Sequence, residues 1–273
     1  MKNIFFFFLL ASFSLSGCVS DDDAKKGAGD SVNIPTQGLT SPTTYPGMTL
    51  AWSDEFDGAT LNQANWTHET GNGQNGWGNN ELQFYRPQNT TIQDGHLIIT
   101  AKKEAFGGRE YTSSRIITKG KQQFRYGRVD IRASLPKGQG IWPALWMLGA
   151  NYSTVSWPAC GEIDIMEHVG NDLNKIHGTL HYPGRSGGNA DGNTRVISNA
   201  TTEFHIYKVE WTAASIKIYV DDQIIHTVAN SSAIPFNHEF FLILNVAMGG
   251  TFGGAVDPNF TNATMEVDYV RVS

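Results

Sequence analysis

An all-β sandwich or barrel is the fold class that the sequence predicts from Met48 onward, and three observations lead there. About a dozen short apolar runs, many alternating with polar residues, are separated by Gly, Asn and Pro. No stretch of useful length repeats its apolar residues with the 3.6-residue period of a helix. The 29 glycines and 11% aromatic content suit turns and pleated surfaces better than a helical bundle. A chain of 273 residues accommodates one large domain of this kind, and neither an internal repeat nor a second domain is visible.

The first elements stand outside that domain. Residues 1–17 carry Lys2, an apolar run over 4–10 and then small residues, the pattern of a secretory signal peptide. The run is too short to cross a bilayer. Leu15-Ser16-Gly17-Cys18 resembles the lipobox of bacterial lipoproteins, which implies cleavage before Cys18 and acyl chains on it as an anchor. The acidic run at Asp21, Asp22 and Asp23 resembles a surface-export tag, so the expected location is the outer face of a bacterial outer membrane, with plain secretion as the alternative. Residues 18–46, rich in Asp, Lys, Gly, Ser, Thr and Pro, read as a flexible tether, leaving 47–273 as the domain. If Cys18 is lipidated, Cys160 has no partner and reads as a small buried residue. Loss of Lys2 takes the net charge from −6 to −7. An acidic surface argues against nucleic acid and strongly anionic substrates, so the expected ligand is neutral and the only membrane contact is the anchor.

Within the domain the pattern predicts strands at 48–52, 96–103, 110–118, 122–134, 141–148, 161–168, 175–182, 204–212, 215–220, 223–228, 239–247 and 263–272. The clearest hairpin joins 216–220 to 223–226 through Asp221-Asp222.

One strand is chemically unusual. In GEIDIMEHVG, residues 161–170, Glu162 and Asp164 alternate with Ile163 and Ile165 and so share a face. Met166 and Glu167 break the alternation by one residue, and a single bulge would return Glu167 to the face of the other two acids. Three like charges in a row are costly unless a site needs them. At roughly 3.3 Å per residue the Cα atoms of Glu162 and Glu167 lie about 13 Å apart, and leaning side chains bring the carboxyl groups to about 5–7 Å. That spacing permits a glycosidase without fixing its stereochemical course. A calcium cluster or a solvated face is the bland alternative, disfavoured by the apolar residues between the acids.

The segment Glu162-Ile163-Asp164-Ile165-Met166-Glu167 resembles the E-x-D-x-x-E signature of glycoside hydrolase family 16 in its bulged form. Four further blocks resemble the family in order: Trp52-Ser53-Asp54-Glu55-Phe56, Gly76-Trp77-Gly78-Asn79-Asn80-Glu81-Leu82-Gln83, Gly140-Ile141-Trp142-Pro143-Ala144-Leu145-Trp146, and the cleft strand opening with Asn245. The resemblance implies a β-jelly roll of two antiparallel sheets with an open substrate cleft, and retention through a glycosyl-enzyme intermediate. Glu162 would be the nucleophile, Glu167 the acid/base, and Asp164 the proton-holding group between them.

Trp142 and Trp146 lie four apart on one face and are candidates to stack on sugar rings, core packing being the alternative. Trp77, in a Gly/Asn-rich loop, reads as a ligand platform, with Asn79 and Glu81 placed to hydrogen-bond glucose hydroxyls. Arg115 is expensive to bury unpaired and calls for a sugar hydroxyl, a cleft acid or a structural ion pair. His181 is expected on the strand beside the catalytic one, as a site residue or a core histidine. Zinc is not expected. The resemblance further implies a structural Ca²⁺ held by Glu55, the Gly95 carbonyl and Asp268, with none required for catalysis. The function expected is that of a monomeric endo-β-1,3-glucanase of the laminarinase kind acting on β-glucan. Mixed-linkage glucan or agar hydrolysis and a non-catalytic glucan-binding protein are the rivals.

Overall fold

Two large sheets face each other across an apolar interior. The computed structural model describes residues 31–273, so the signal peptide, Cys18 and the acidic run lie outside the described residues. In chain order the strands are β1 (Trp52–Asp54), β2 (Thr67–Glu69), β3 (Gln83–Tyr85), β4 (Thr90–Gln93), β5 (His96–Phe106), β6 (Arg109–Ser113), β7 (Arg115–Ile117), β8 (Gly127–Ser134) and β9 (Ile141–Gly149). They continue with β10 (Glu162–His168), β11 (Lys175–His181), β12 (Asp191–Val196), β13 (His205–Trp211), β14 (Ser215–Val220), β15 (Gln223–Ala229), β16 (Phe240–Met248) and β17 (Asn262–Val272). A single helical turn, α1 (Gly250–Gly253), follows β16.

One sheet runs β12-β11-β10-β9-β16-β7-β2 and carries the acidic strand near its middle. The other runs β15-β14-β13-β8-β17-β5-β6-β3, with β1 on β17 and β4 on β5. Pairing is antiparallel except between β3 and β6. Alternation along the strands builds the core. Ile163, Ile165, Met166, Leu145, Met147, Leu242 and Leu244 from the first sheet meet Leu97, Ile99, Val129, Ile131, Val267 and Val270 from the second. Each such side chain contributes about 1.5–3 kcal/mol of hydrophobic stabilisation before entropy is set against it. Cys160 is buried beside this core, and burial pushes its thiol up to about 11, so it is an inert packing residue.

Several expected boundaries change. The opening strand lies at 52–54, where it pairs with β17, not at 48–52. The segment 110–118 is two strands, because the chain crosses from one sheet to the other at Ser114. Strand β8 starts only at Gly127, after left-handed Tyr126. Strands β2, β3, β4 and β12 carried no sequence signal: β2 and β3 are three residues long, too short to show a period, and β12 is almost wholly exposed.

Residues 33–46, expected as part of the tether, belong instead to the folded unit, which runs from Asn33 to Ser273. Residues 37–45 strap the second sheet. Gln37 O accepts from Phe204 N–H, Leu39 O from Arg132 Nε at 2.6 Å, and Ser41 O from Arg271 at 2.8 Å. Tyr45 donates to Asp130 and accepts from Arg128. Gly38 sits at φ +122, where a Cβ would lie 2.0 Å from the Phe204 carbonyl oxygen, so only glycine allows this approach.

Candidate active site

Strand β10 holds a bulge where the alternation breaks. On the β11 side Asp164 opposes Thr179 and Glu167 opposes His177; on the β9 side they oppose Trp146 and Ala144. Strand β10 therefore advances three residues while each neighbour advances two. Ile163, Ile165 and Met166 all turn into the core, and Glu162, Asp164 and Glu167 are left on the opposite face. Residues directly opposite across antiparallel strands share a face at about 4.5–5.5 Å. A row of side chains thus crosses the sheet from His177 through Glu167, Ala144, Asn245 and Arg115 to Glu69.

The three acids sit close together and repel one another, Asp164 buried and Glu162 and Glu167 half-buried. Burial first, and the Asp164 charge second, push Glu162 well above the usual carboxylate range; His181 and Arg115 act against that rise. Burial pushes Asp164 up to about 8. Burial and the Asp164 charge push Glu167 up to about 8, opposed by a hydrogen bond from Trp142 Nε1 to Glu167 Oε1 at 3.0 Å. The row carries fewer charges at neutral pH than it has carboxyl groups. Of the three, Glu162 alone is favoured in its ionised form by both His181 and Arg115.

The remaining expected site residues fall into connected groups. Trp146, partly exposed on the same face, donates through Nε1 to Asn245 Oδ1 at 2.8 Å. Asn245 donates to the Tyr85 hydroxyl, which in turn donates to Glu81. Arg115 is ion-paired to Glu69, and its guanidinium lies 4.6 Å from the Trp77 ring and 5.0 Å from the Trp146 ring. Of the partners expected for Arg115, the structure shows the ion pair, made with Glu69. Trp77, left-handed at φ 56, packs on Tyr85 at 5.4 Å, and its indole Nε1 is buried without a partner. His181 stands opposite Glu162, with Nε2 3.1 Å from Asp164 and 3.6 Å from Glu162.

Two expectations need correction, and a third, the calcium site, meets a poor fit. Trp142 is only 9% exposed, roofed by Phe252 at 5.4 Å, and acts as hydrogen-bond donor to Glu167 and not as an open sugar platform. Glu81 is 4% exposed and accepts from Asn79, Gln83 and Tyr85, so its carboxylate organises the floor and does not face glucose hydroxyls. The calcium side chains do not fit a carboxylate cage. Both Glu55 oxygens accept from Arg271, at 2.9 and 2.7 Å, while Asp268 is held by Arg132 at 2.7 Å with His96 3.4 Å from its other oxygen. Arginines of the protein already pair with both acids, so neither is a free carboxylate for a metal.

Trp157, Tyr85, Glu69 and Phe252 belong to the site's surroundings and were missed. Trp157 had a signal, an aromatic in a polar loop like Trp77; it is 47% exposed, with its ring 5.8 Å from His181. Glu69 had none, since its partner Arg115 is 46 residues away.

A family model described as "Glycosyl hydrolases family 16" matches residues 63–271. The chain is 44% identical over 247 residues to the "Beta-glucanase" of Rhodothermus marinus, covering 83% of this chain and 85% of that protein. It is 40% identical over 271 residues to "Glucan endo-1,3-beta-glucosidase A1" of Niallia circulans, covering 86% of this chain but only 39% of that longer protein. Among solved structures, the laminarinase catalytic domain from Thermotoga maritima MSB8, determined in complex with cetyltrimethylammonium bromide, superposes with a TM-score of 0.78 at 42% identity. That match covers 82% of this chain and 97% of the solved one.

Proposed function

The chain belongs to glycosyl hydrolase family 16, and from that membership we propose that it is a retaining endo-β-glucanase cleaving internal β-1,3-glucosidic bonds of laminarin-type glucan. The observation that carries this reading is the row Glu162, Asp164, Glu167, brought to one face by the bulge in β10.

In the first step Glu162, ionised, attacks the anomeric carbon, and the bond to the departing sugar oxygen breaks. Glu167 gives that oxygen its proton, a role supported by a carboxyl group held protonated up to about 8. In the second step Glu167, now a carboxylate, takes a proton from water, whose oxygen attacks the anomeric carbon and releases Glu162. Asp164, between the two and pushed up to about 8, holds a proton that hydrogen-bonds whichever neighbour carries charge. Two inversions at one carbon leave its configuration unchanged. Trp146, Trp77 and Arg115 supply a floor of ring faces and one cation, suited to a neutral sugar chain.

Product analysis tests the proposal. The chain from Asn33 is incubated with laminarin, mixed-linkage β-glucan and agarose, with Glu162→Gln alongside. Short oligosaccharides should be released from laminarin with the β-anomer formed first, and the variant should lose at least 10³-fold in rate while still binding glucan. Cleavage of agarose alone would overturn the substrate, first release of the α-anomer would overturn the mechanism, and binding without cleavage by the wild type would overturn the activity.

A further inference from the structure

The Tyr182–Asn189 stretch between β11 and β12 is tied down at both ends. Tyr182 and Arg185 exchange backbone hydrogen bonds at 2.8 and 2.9 Å, and Asn189 donates from its side chain to Gly184 O at 3.0 Å. The Tyr182 hydroxyl donates to Asp191 at 2.7 Å, and the other Asp191 oxygen lies 3.0 Å from Nε2 of His226 on β15 in the opposite sheet. At the tip, Gly187 takes φ +57, and its N–H points at His181 Nδ1 at 3.1 Å. A Cβ there would meet nothing within 4 Å, so backbone conformation and not space explains the glycine.

We propose that this loop is a positioning element for the catalytic row: the Gly187 amide, by donating to His181 Nδ1, fixes the ring as the Nε2–H tautomer and presents that proton to Asp164 and Glu162. A neutral imidazole has one donor and one acceptor nitrogen, so a ring accepting at Nδ1 carries its hydrogen on Nε2. Nε2 lies 3.1 Å from Asp164 Oδ2, off the line of a well-aligned hydrogen bond, and that oxygen is buried with no other partner. The arrangement supplies a donor to the acids at the point where they are most crowded. It also argues against a cation at Glu162, Asp164 and His181, the one group among the described residues whose ligand atoms converge within 4.8 Å, because Nε2–H has no lone pair to give.

The other groups acting on this corner are known. Glu167 lies further along β10, Arg115 acts from β7, the Cys160 thiol is buried two residues before Glu162 in a cluster with Leu148, Phe241 and Ile243, and the Trp157 ring stands beside His181. Asp191 is already satisfied by Tyr182 and His226. His181 offers Glu162 and Asp164 a donor from outside the acidic row, so its loss should make Glu162 harder to ionise.

The effect on catalysis rests on the glucanase reading, whereas the tautomer does not, and the experiment separates them. Nitrogen-15 NMR of the full chain labelled in histidine should show His181 as Nε2–H at neutral pH, and Gly187→Ala, strained at its positive φ, should weaken that preference. In laminarin hydrolysis, His181→Ala should move the acid limb of kcat/KM to higher pH and lower kcat on the order of 10- to 100-fold, with KM little changed. His181→Gln, whose amide N–H reaches the Nε2 position, should restore the acid limb, and His181→Asn should not. Gly187→Ala should shift it the same way by less. An Nδ1–H tautomer, an unmoved acid limb in His181→Ala, or Gln performing no better than Asn would overturn the proposal. If the wild type cleaves no glucan, the glucanase reading fails, and the NMR result alone then decides for or against the loop.

Discussion

Trp142 and Glu167 show how one hydrogen bond can set a working pH. Burial holds the Glu167 proton up to about 8, so an enzyme using it as acid loses rate as pH rises through that value. The bond from Trp142 Nε1 favours the ionised form and pulls in the opposite direction. Trp142→Phe keeps a ring against Phe252 but removes the donor, so Glu167 should rise further. The basic limb of the kcat/KM profile should then move up by about half to one pH unit. A downward or absent shift would show that the bond does not act on the catalytic acid. None of this was legible in sequence. Alternation placed Trp142 and Trp146 on one face, as observed, but not that a residue of the α1 turn would roof the first and leave the second open.

At the scale of the element, the bulge in β10 keeps the acidic row on one face. Met166 is the extra residue that the bulge takes up, leaving Glu167 on the face of Glu162 and Asp164 while its own side chain sinks in the core. Deleting Met166 leaves Glu162-Ile163-Asp164-Ile165 followed directly by Glu167, a strict alternation that keeps all three acids on one face with no bulge. The expected outcome is a fall in unfolding free energy of about 2–4 kcal/mol, from the Met166 side chain lost to the core and read by denaturant unfolding, with glucan cleavage kept within about 100-fold. A folded deletion variant that cleaves laminarin at least 10³-fold more slowly would mean that the bulge does more than set the face of Glu167. The bulge itself was readable, because the polar and apolar residues of six consecutive positions declare which face each must take. The β14–β15 hairpin was readable for the same reason.

For the whole molecule, the strap over 37–45 separates stability from activity. It satisfies Arg132, Arg271, Arg128 and Asp130 on the sheet that does not carry the acids. A chain beginning at residue 47 loses these partners, whereas one beginning at Asn33 keeps them. The shorter chain should melt roughly 5–10 °C lower, as expected for two or three lost charge-assisted hydrogen bonds in a domain of this size. Its rate on laminarin at 25 °C should be nearly unchanged. Equal melting temperatures would show that the strap is ornamental to the fold. Composition read 18–46 as tether because Gly, Ser and Pro describe flexible and pinned chain alike.

By itself the sequence determined what depends on neighbours along the chain. It set the β class, the faces of the longer strands, the bulge and the acidic row it creates, since a period of two is a local property that burial then enforces. Only the tertiary structure decided which partner each polar group takes. It gave Arg115 to Glu69 across 46 positions, Glu55 to Arg271 across 216, and turned Glu81 inward to its own floor. Such choices follow from how two sheets stack and where loops return. A buried charge must be satisfied by whatever donor or acceptor the fold brings within about 3 Å, and nothing in the local pattern names it.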